Sequence, residues 1–279
     1  MNRGKFIERV LFFLALSSVT SLLLITIFIF MEGLPLIIST GLKNFLFSSH
    51  WAPTRGHFGI LAMIISSILV TLGALGLGVP LGLACAIVLA EFSPQRLKLV
   101  LKPTLELLAG VPSVVYGFLG VIWLVPLIRD YLGGPGLSLL AGSLILGIMI
   151  LPNVISISID SLDAVPETYR QGSIALGATQ WQTVRRVVLP AARSGIITAV
   201  ILGMGRAIGE TMAVIMVAGN ALQLPTSILD PVRTLTSNIA LELGYASGRH
   251  REALFATGIV LFIIIMILNL SATLVTRRK

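Results

Sequence analysis

The sequence predicts an all-α integral membrane protein with six transmembrane helices, forming a single domain over residues 1–279. Hydrophobic residues make up 56% of the chain and charged residues only 11%, whereas about a quarter of the residues in a soluble domain are charged. Six apolar segments are long enough to cross a bilayer, which requires about 20 helical residues. The basic residues are unevenly distributed among the loops, which gives the helices an orientation.

The six segments are separated by shorter polar connections. The first segment follows three basic residues, as a signal peptide would. At about 22 residues it exceeds the roughly 7–15 apolar residues of a signal sequence, so we interpret it as a retained helix. The predicted spans cover residues 10–31, 58–89, 103–128, 137–159, 195–218 and 253–275.

The distribution of Lys and Arg predicts that both termini are cytoplasmic. With this orientation, 13 of the 20 basic residues lie in cytoplasmic segments, six lie in external segments and one lies within a span. The cytoplasmic group includes Arg278 and Lys279 at the end of the chain. This excess agrees with the positive-inside rule, and it places the polar segment at about residues 160–194 in the cytoplasm.

Three of the predicted spans contain residues that favour close packing or a helix break. Gly78 and Gly82 in the second span, and Gly205 and Gly209 in the fifth, are small residues at a spacing that lets helices approach closely. Residues 106–120, at the third span, mix glycine and proline into an apolar run. We therefore expect a broken or kinked helix there.

The cytoplasmic segment between the fourth and fifth spans has the pattern of two short helices joined by a turn. Pro166 suits the first position of a helix, and Gly177 suits the left-handed residue after a helix end. Thr179 and Gln182 match a capping box, and Pro190 is expected to stop the second helix. Such an ordered loop could dock a cytoplasmic partner, although a solvated helical connector would show the same pattern.

The spacing in this segment resembles the cytoplasmic "EAA" loop of ABC-importer permeases. The resemblance rests on Gly177, Val187 and the Leu189-Pro190 pair, while the usual Glu-Ala-Ala is replaced by Gln-Gly-Ser. In that family the loop inserts as a coupling helix into a groove of the ATPase subunit. The residues that the resemblance assigns to ATPase coupling are Pro166, Glu167, Gln171, Gly172, Ser173, Gly177, Ala178, Thr179, Trp181, Val187, Leu189 and Pro190.

Arg206 and Glu210 are charged residues within the otherwise apolar fifth span. Each charge would cost roughly 2.5–3.5 kcal/mol at the bilayer centre, so neither should face lipid. In a continuous helix the two residues share a face, where they could form a self-neutralising ion pair. Alternatively, they face a substrate path.

In the substrate-path interpretation, the forked guanidinium of Arg206 would bind a tetrahedral oxyanion. Glu210 would either orient Arg206 or accept a hydrogen bond from a protonated oxygen of phosphate, which sulfate lacks at neutral pH. Thr211 is a weaker candidate for the path, because its hydroxyl could equally bond back to the preceding helical turn.

The run RAIGETMAVIMVAGN at residues 206–220 is similar to the PstC type of phosphate-importer permease subunit, as is GVPSVVYG at residues 110–117. This resemblance implies the type I ABC importer permease fold in a bacterial cytoplasmic (inner) membrane, and a permease rather than an enzyme. It also implies three kinds of protein partner: a PstA-like second permease subunit, a PstB-like ATPase dimer and a PstS-like external phosphate-binding protein.

Other functional classes find less support in the sequence. The chain lacks a Gly-x-x-x-x-Gly-Lys-[Ser/Thr] phosphate loop, so ATP is expected on a separate subunit. One cysteine and three histidines without ligand spacing predict neither a metal nor another cofactor. Membrane lipid is an expected partner and nucleic acid is not. The alternatives left open are a PstA-type subunit, a permease for sulfate, molybdate or phosphonate, and more distantly a stand-alone secondary transporter.

Overall fold

The structure, a computed structural model, describes residues 3–277 as helices joined by short connections and one small hairpin. The two basic residues that end the predicted cytoplasmic terminus, Arg278 and Lys279, lie outside the described residues. The helices are α1 (Arg3–Thr40), α2 (Leu42–Phe47), α3 (Leu61–Ile87), α4 (Gln95–Ala109), α5 (Ser113–Leu119), α6 (Val125–Leu132), α7 (Leu139–Asp163), α8 (Glu167–Ala175), α9 (Gln180–Thr183), α10 (Leu189–Gly209), α11 (Met212–Val217), α12 (Leu235–Glu242) and α13 (Arg249–Arg277).

Six helical stretches of the described chain are long and apolar enough to cross a membrane, which confirms the predicted number and order. Short π-helical turns extend or join some of the α-helices within these stretches. The spans are Ile7–Thr40, Leu61–Phe92, Ser113–Leu132, Leu139–Asp163, Gln180–Gly209 and Arg249–Ser271.

The prediction that Pro190 stops a helix is wrong. A π-helical turn over Val184–Val188 joins α9 to α10, and Pro190 lies in the first turn of α10. A proline inside an α-helix loses one backbone hydrogen bond, and its ring clashes with the carbonyl four residues earlier. The wider turn directly upstream changes the hydrogen-bond register and accommodates the ring. The fifth span therefore begins in the cytoplasmic loop, at Gln180.

The most buried span is α7, which packs against α3, α4 and α10. The Gly78 and Gly82 pair does allow close helix packing. A Cβ at Gly78 would lie 2.7 Å from the Ile150 side chain, and one at Gly82 would lie 2.8 Å from Val154. The pair in α10 behaves differently, because a Cβ at Gly205 or Gly209 would meet no atom of a neighbouring element within 4 Å. Within the described chain, that pair does not mediate helix packing.

A small hairpin and a short buried helix cover the end of the fold that is predicted to be external. Strands β1 (Trp51–Ala52) and β2 (His57–Phe58) pair antiparallel, with Trp51 opposite Phe58. Both aromatic side chains are buried in a cluster that includes Leu235 at the start of α12. The hairpin, α12 and the first part of α13 therefore form one packed unit.

Candidate functional site

The candidate site lies where two helical stretches of the chain are interrupted side by side. α4 ends at Ala109 and α5 begins at Ser113, so the chain breaks within residues 106–120 as predicted. The third span begins only at Ser113, after this break, which corrects its predicted start at residue 103 and leaves α4 outside the spans. Pro112 favours this break, because it lacks an N–H and disfavours helical backbone at the preceding residue. The second interruption separates α10, which ends at Gly209, from α11, which begins at Met212. Both breaks leave backbone groups without helical partners, which other groups must satisfy.

Glu210 occupies the second break, which corrects the expectation of one continuous helix over residues 195–218. Its backbone is extended, with φ −68° and ψ 133°. Its Oε1 accepts a hydrogen bond from the Ala213 N–H at 3.1 Å, because the first N–H groups of a helix have no partner of their own and attract a carboxylate. Arg206 and Glu210 therefore do not share a helix face, and no ion pair joins them within residues 3–277.

Arg206 instead joins the two breaks. Its Nη1 donates to the Ala109 carbonyl at 3.2 Å, and that carbonyl lies at the C-terminal end of α4, where the helix dipole concentrates negative partial charge. The side chain is partly buried. A backbone carbonyl offsets only part of a full positive charge, and a guanidinium has five N–H donors. Arg206 thus retains both charge and donors for a bound anion.

Thr211 forms a local hydrogen bond back to the preceding helix, which was one of the two alternatives that the sequence left open. Its hydroxyl donates to the Gly209 carbonyl at 3.3 Å, so it bonds back across the end of α10. The residue is partly buried, like Arg206 and Glu210. The three predicted path residues therefore come together at the second break, and each one bonds to the backbone around the interruptions.

Sequence reasoning missed two hydroxyl groups that donate hydrogen bonds to backbone carbonyls at the breaks. The Tyr116 hydroxyl donates to the Leu108 carbonyl at 2.9 Å, and the Thr236 hydroxyl donates to the Glu210 carbonyl at 2.9 Å. The GVPSVVYG motif already contained Tyr116, although no role was assigned to it. Thr236 lies in the 221–252 segment, which is predicted to be external, and no local pattern links it to Glu210.

Beyond the breaks, the outer halves of the two interrupted helices pack directly on each other. A Cβ at Gly117 in α5 would lie 2.9 Å from the Ala213 Cα, and one at Gly120 would lie 2.7 Å from the Val217 side chain. Such distances leave no room for a larger residue. The two breaks are consequently fixed relative to each other by close contact between α5 and α11.

The loop predicted to be cytoplasmic (residues 160–194), which we term the cytoplasmic loop, has most of its predicted local structure. Gly177 adopts a left-handed conformation with φ 84°. Both bonds of the predicted capping box are present, from the Gln182 N–H to the Thr179 hydroxyl and from the Thr179 N–H to the Gln182 side chain. Pro166 precedes α8 as its N-cap rather than occupying its first turn. The prediction of a helix, a turn and a second helix is confirmed.

The predicted docking residues lie mainly on the outside of this loop. Ser173 is an exception and is partly buried. Its hydroxyl accepts a hydrogen bond from the Thr183 hydroxyl at 2.9 Å, which joins α8 to α9. Four large apolar side chains are exposed on the same loop, namely Tyr169, Ile174, Leu176 and Trp181. Of the other predicted residues, Ala178, Val187 and Leu189 are partly buried, and Pro166, Glu167, Gln171, Gly172, Gly177, Thr179 and Pro190 are exposed.

An ion pair that sequence reasoning missed attaches the loop to the end of the second span. Arg170 donates to both oxygens of Glu91, at 3.2 and 2.7 Å, and also to the carbonyls of Leu162 and Val165. The hydrogen-bonded Glu91 carboxylate raises the pKa of Arg170 above its ordinary value. Lys98 forms a further ion pair with Asp163, at 2.5 Å. The loop is thereby anchored to the membrane helices rather than hanging free.

On the side predicted to be external, the buried Glu242 carboxylate has three partners. Trp51 Nε1 and Arg233 Nη1 donate to it at 3.0 and 2.7 Å, and His250 Nε2 lies 2.8 Å from it. Arg233 also donates to the side-chain oxygen of Asn238 at 3.1 Å. These residues, which we term the outer cluster, tie the hairpin, α12 and α13 together.

Comparison with known sequences identifies relatives over most of the chain. The family model described as "Binding-protein-dependent transport system inner membrane component" matches residues 78–279. A probable ABC transporter permease protein of Bacillus subtilis, YqgH, is 43% identical over 95% of this chain and 88% of its own length. The phosphate transport system permease protein PstC of Haemophilus influenzae is 35% identical over 85% of this chain and 82% of its own. PstC of Mesorhizobium japonicum is 38% identical, covering 79% and 74% respectively.

Two solved structures of ABC transporters have a similar fold. A bacterial ABC transporter for the import of alginate matches with a TM-score of 0.65 at 16% identity, covering 99% of this chain and 98% of its own. The inward-facing MetNI methionine ABC transporter matches with a TM-score of 0.64 at 18% identity, covering 82% and 98%. At these identities the likeness concerns the fold alone, and the fold is that of type I ABC importer permeases.

Proposed function

The chain belongs to the family of binding-protein-dependent transport system inner membrane components, and we propose that it is the permease subunit of an ATP-driven phosphate importer. It is a multi-pass protein of the bacterial inner membrane and a translocation component rather than an enzyme. Phosphate is the transported anion in the names of the PstC relatives.

The observation that carries the proposal is the environment of Arg206. This arginine lies at the junction of two helix breaks, and its described hydrogen bond is to the Ala109 carbonyl rather than to a carboxylate. Transporters commonly place substrate sites where membrane helices are discontinuous. A guanidinium binds a tetrahedral oxyanion with two parallel hydrogen bonds, and its charge offsets part of the cost of removing the anion from water.

Glu210 supplies the proposed preference for phosphate. Its Oε1 is occupied by the Ala213 N–H, and its other oxygen accepts no hydrogen bond within the described chain. That oxygen can accept a hydrogen bond from protonated phosphate. Sulfate has no proton to donate at neutral pH, so the same carboxylate would repel it. Thr211, adjacent to Glu210 in the break, completes the proposed path.

The cytoplasmic loop is the proposed docking element for the ATPase. The large apolar side chains of Ile174, Leu176 and Trp181 are exposed on the loop. Ile174 and Leu176 lie between the fourth and fifth spans, and Trp181 lies at the start of the fifth. Exposed apolar surface of this kind marks interaction sites. The anchoring of Arg170 to Glu91 would transmit a movement of the loop to the second span. ATP-driven closure of the ATPase would in this way move the membrane helices.

The family implies an ATPase and an external substrate-binding protein as partners. For a phosphate importer we propose that these are a PstB-like ATPase dimer and a PstS-like phosphate-binding protein, with a PstA-like second permease completing the path. The external unit of hairpin, α12 and α13 faces the side from which the binding protein would deliver phosphate.

The test is uptake of labelled phosphate by cells that lack their own phosphate importers, supplied with this chain and its three partner subunits. We expect uptake that depends on ATP and persists in excess sulfate. Cells without this chain are the control. Absence of phosphate uptake by a fully assembled complex would reject phosphate as the substrate, and sulfate, molybdate and phosphonate would then be tested in the same cells.

A further inference from the structure

The break after α10 leaves the Glu210 carbonyl without its ordinary helical partner. In a continuous helix this oxygen would accept a hydrogen bond from the N–H of residue 214. In the structure, the Thr236 hydroxyl donates to it instead, at 2.9 Å. Thr236 is almost fully buried, with 7% of its surface exposed. The unusual backbone of the proposed anion site is therefore satisfied from another helix.

α12 holds Thr236 firmly because the helix is fixed at both ends. At its start, the Leu235 N–H donates to the Ser67 hydroxyl of α3 at 2.9 Å, and Thr234 caps the Ser237 N–H at 3.2 Å. At its end, Glu242 belongs to the outer cluster described above. A short helix anchored in this way presents the Thr236 hydroxyl at a fixed position.

We propose that Thr236 is a positioning residue for anion translocation, acting through Glu210. This inference rests on the proposed function of the chain. The hydrogen bond to the Glu210 carbonyl stabilises the extended backbone (ψ 133°) of that residue. The same backbone conformation directs the Glu210 side chain to the Ala213 N–H, away from an ion pair with Arg206. Without the hydroxyl, Glu210 is less often in the conformation that keeps Arg206 available to phosphate.

The test uses the complete complex reconstituted in lipid vesicles, with phosphate-loaded binding protein outside and the ATPase supplied with ATP. The measured quantity is phosphate transported per ATP hydrolysed. Thr236→Val removes the hydroxyl at nearly constant shape, and Thr236→Ser retains it. Thr257→Val is the matched control, since Thr257 is fully buried and its hydroxyl bonds within α13 to the Ala253 carbonyl.

We expect Thr236→Val to lower phosphate transported per ATP about fivefold, the factor that corresponds to a hydrogen bond of about 1 kcal/mol. Thr236→Ser and Thr257→Val should retain the wild-type ratio. A purely structural role for Thr236 would reduce the amount of complex, so transport and ATP hydrolysis would fall together and their ratio would stay constant.

Three results would overturn the inference: an unchanged ratio in Thr236→Val, an equal loss in Thr236→Ser, or an equal loss in Thr257→Val. Failure of the proposed function is distinguishable from these, because wild-type vesicles would then transport no phosphate at all. If Thr236→Val does not assemble, Thr236→Ala is measured in its place. If neither assembles although Thr236→Ser does, the hydroxyl is needed for folding, and that result also overturns the positioning role.

Discussion

At the scale of single residues, Arg206 shows what the free-energy cost of a charge within a membrane span can and cannot predict. An arginine inside an apolar span is expensive enough to predict that it avoids lipid and has a partner. The structure identifies that partner as the Ala109 carbonyl of another interrupted helix. The sequence suggested Glu210 as the partner, but Glu210 bonds to the Ala213 N–H instead.

Replacement of Arg206 tests the geometry of its side chain separately from its charge. We expect Arg206→Ala to abolish phosphate uptake and Arg206→Lys to lower it at least tenfold, because lysine keeps the charge but loses the planar fork that binds an oxyanion bidentately. The measurement is initial uptake of labelled phosphate, normalised to the assembled complex recovered from the membrane.

Arg129→Lys provides the control, since Arg129 lies on the surface in an exposed pair with Asp130. This variant should transport at the wild-type rate. Near-normal uptake by Arg206→Lys would show that charge alone suffices, and near-normal uptake by Arg206→Ala would remove Arg206 from the path altogether.

At the scale of secondary-structure elements, the turn of the cytoplasmic loop depends on one backbone conformation. Gly177→Val places a β-branched residue at φ 84°, where a non-glycine residue costs roughly 1–2 kcal/mol or more. We expect the turn between α8 and α9 to rearrange and less ATPase subunit to co-purify with the permease.

The matched control for the loop is Gly56→Val. Gly56 lies in the turn of the small hairpin, away from the loop, and is also left-handed, with φ 77°. A Cβ there would meet no neighbouring atom within 4 Å, so the variant introduces the same backbone strain elsewhere and ATPase recovery should be unchanged. Equal recovery with Gly177→Val and Gly56→Val would indicate that the loop is a connector and not a docking element.

The loop could be predicted because its structure depends on neighbouring residues. Thr179 and Gln182 bond to each other, and Gly177 adopts its conformation locally, so the sequence pattern contains the necessary information. The break at Glu210 could not be predicted in the same way. Its carbonyl partner, Thr236, is distant in sequence and reaches the site only through tertiary packing.

Pro190 shows a different kind of error, because the rule that proline ends a helix gave a wrong prediction. Proline disfavours an α-helix. However, the π-helical turn over Val184–Val188 lies directly before the turn that contains Pro190, and it changes the hydrogen-bond pattern there. No residue in that turn signals its wider geometry. As a consequence, the fifth span is continuous with the proposed docking loop, and a movement of α9 would pass directly into α10.

At the scale of the whole molecule, the structure connects the cytoplasmic loop with the candidate site through two routes. α4 is paired with the cytoplasmic end of α7 through Lys98 and Asp163, and its other end provides the Ala109 carbonyl bound by Arg206. The Gln180–Gly209 span runs from the loop to the second break. Both interrupted helices can therefore move with the loop.

The outer cluster is expected to stabilise the external half of the molecule. Glu242→Gln would leave the partly buried Arg233 without its carboxylate, and breaking a buried ion pair typically costs up to about 3–5 kcal/mol. We expect the thermal midpoint of the purified chain to fall by at least about 5 °C. The control is Asp130→Asn, which breaks an exposed pair and should have little effect. Equal midpoints for the two variants would contradict a stabilising role of the cluster.

The central claim, that phosphate passes the junction of the two helix breaks, can be tested by cysteine protection. Thr211→Cys is made in a Cys85→Ser background, which removes the single native cysteine. The reconstituted complex is then treated with a small uncharged thiol reagent. With binding protein and ATP present, phosphate should slow labelling at position 211 severalfold, whereas sulfate should not. Thr54→Cys, exposed in the external hairpin, should label at the same rate with either anion. Labelling at position 211 that is equally fast with phosphate, with sulfate and without anion would contradict the account.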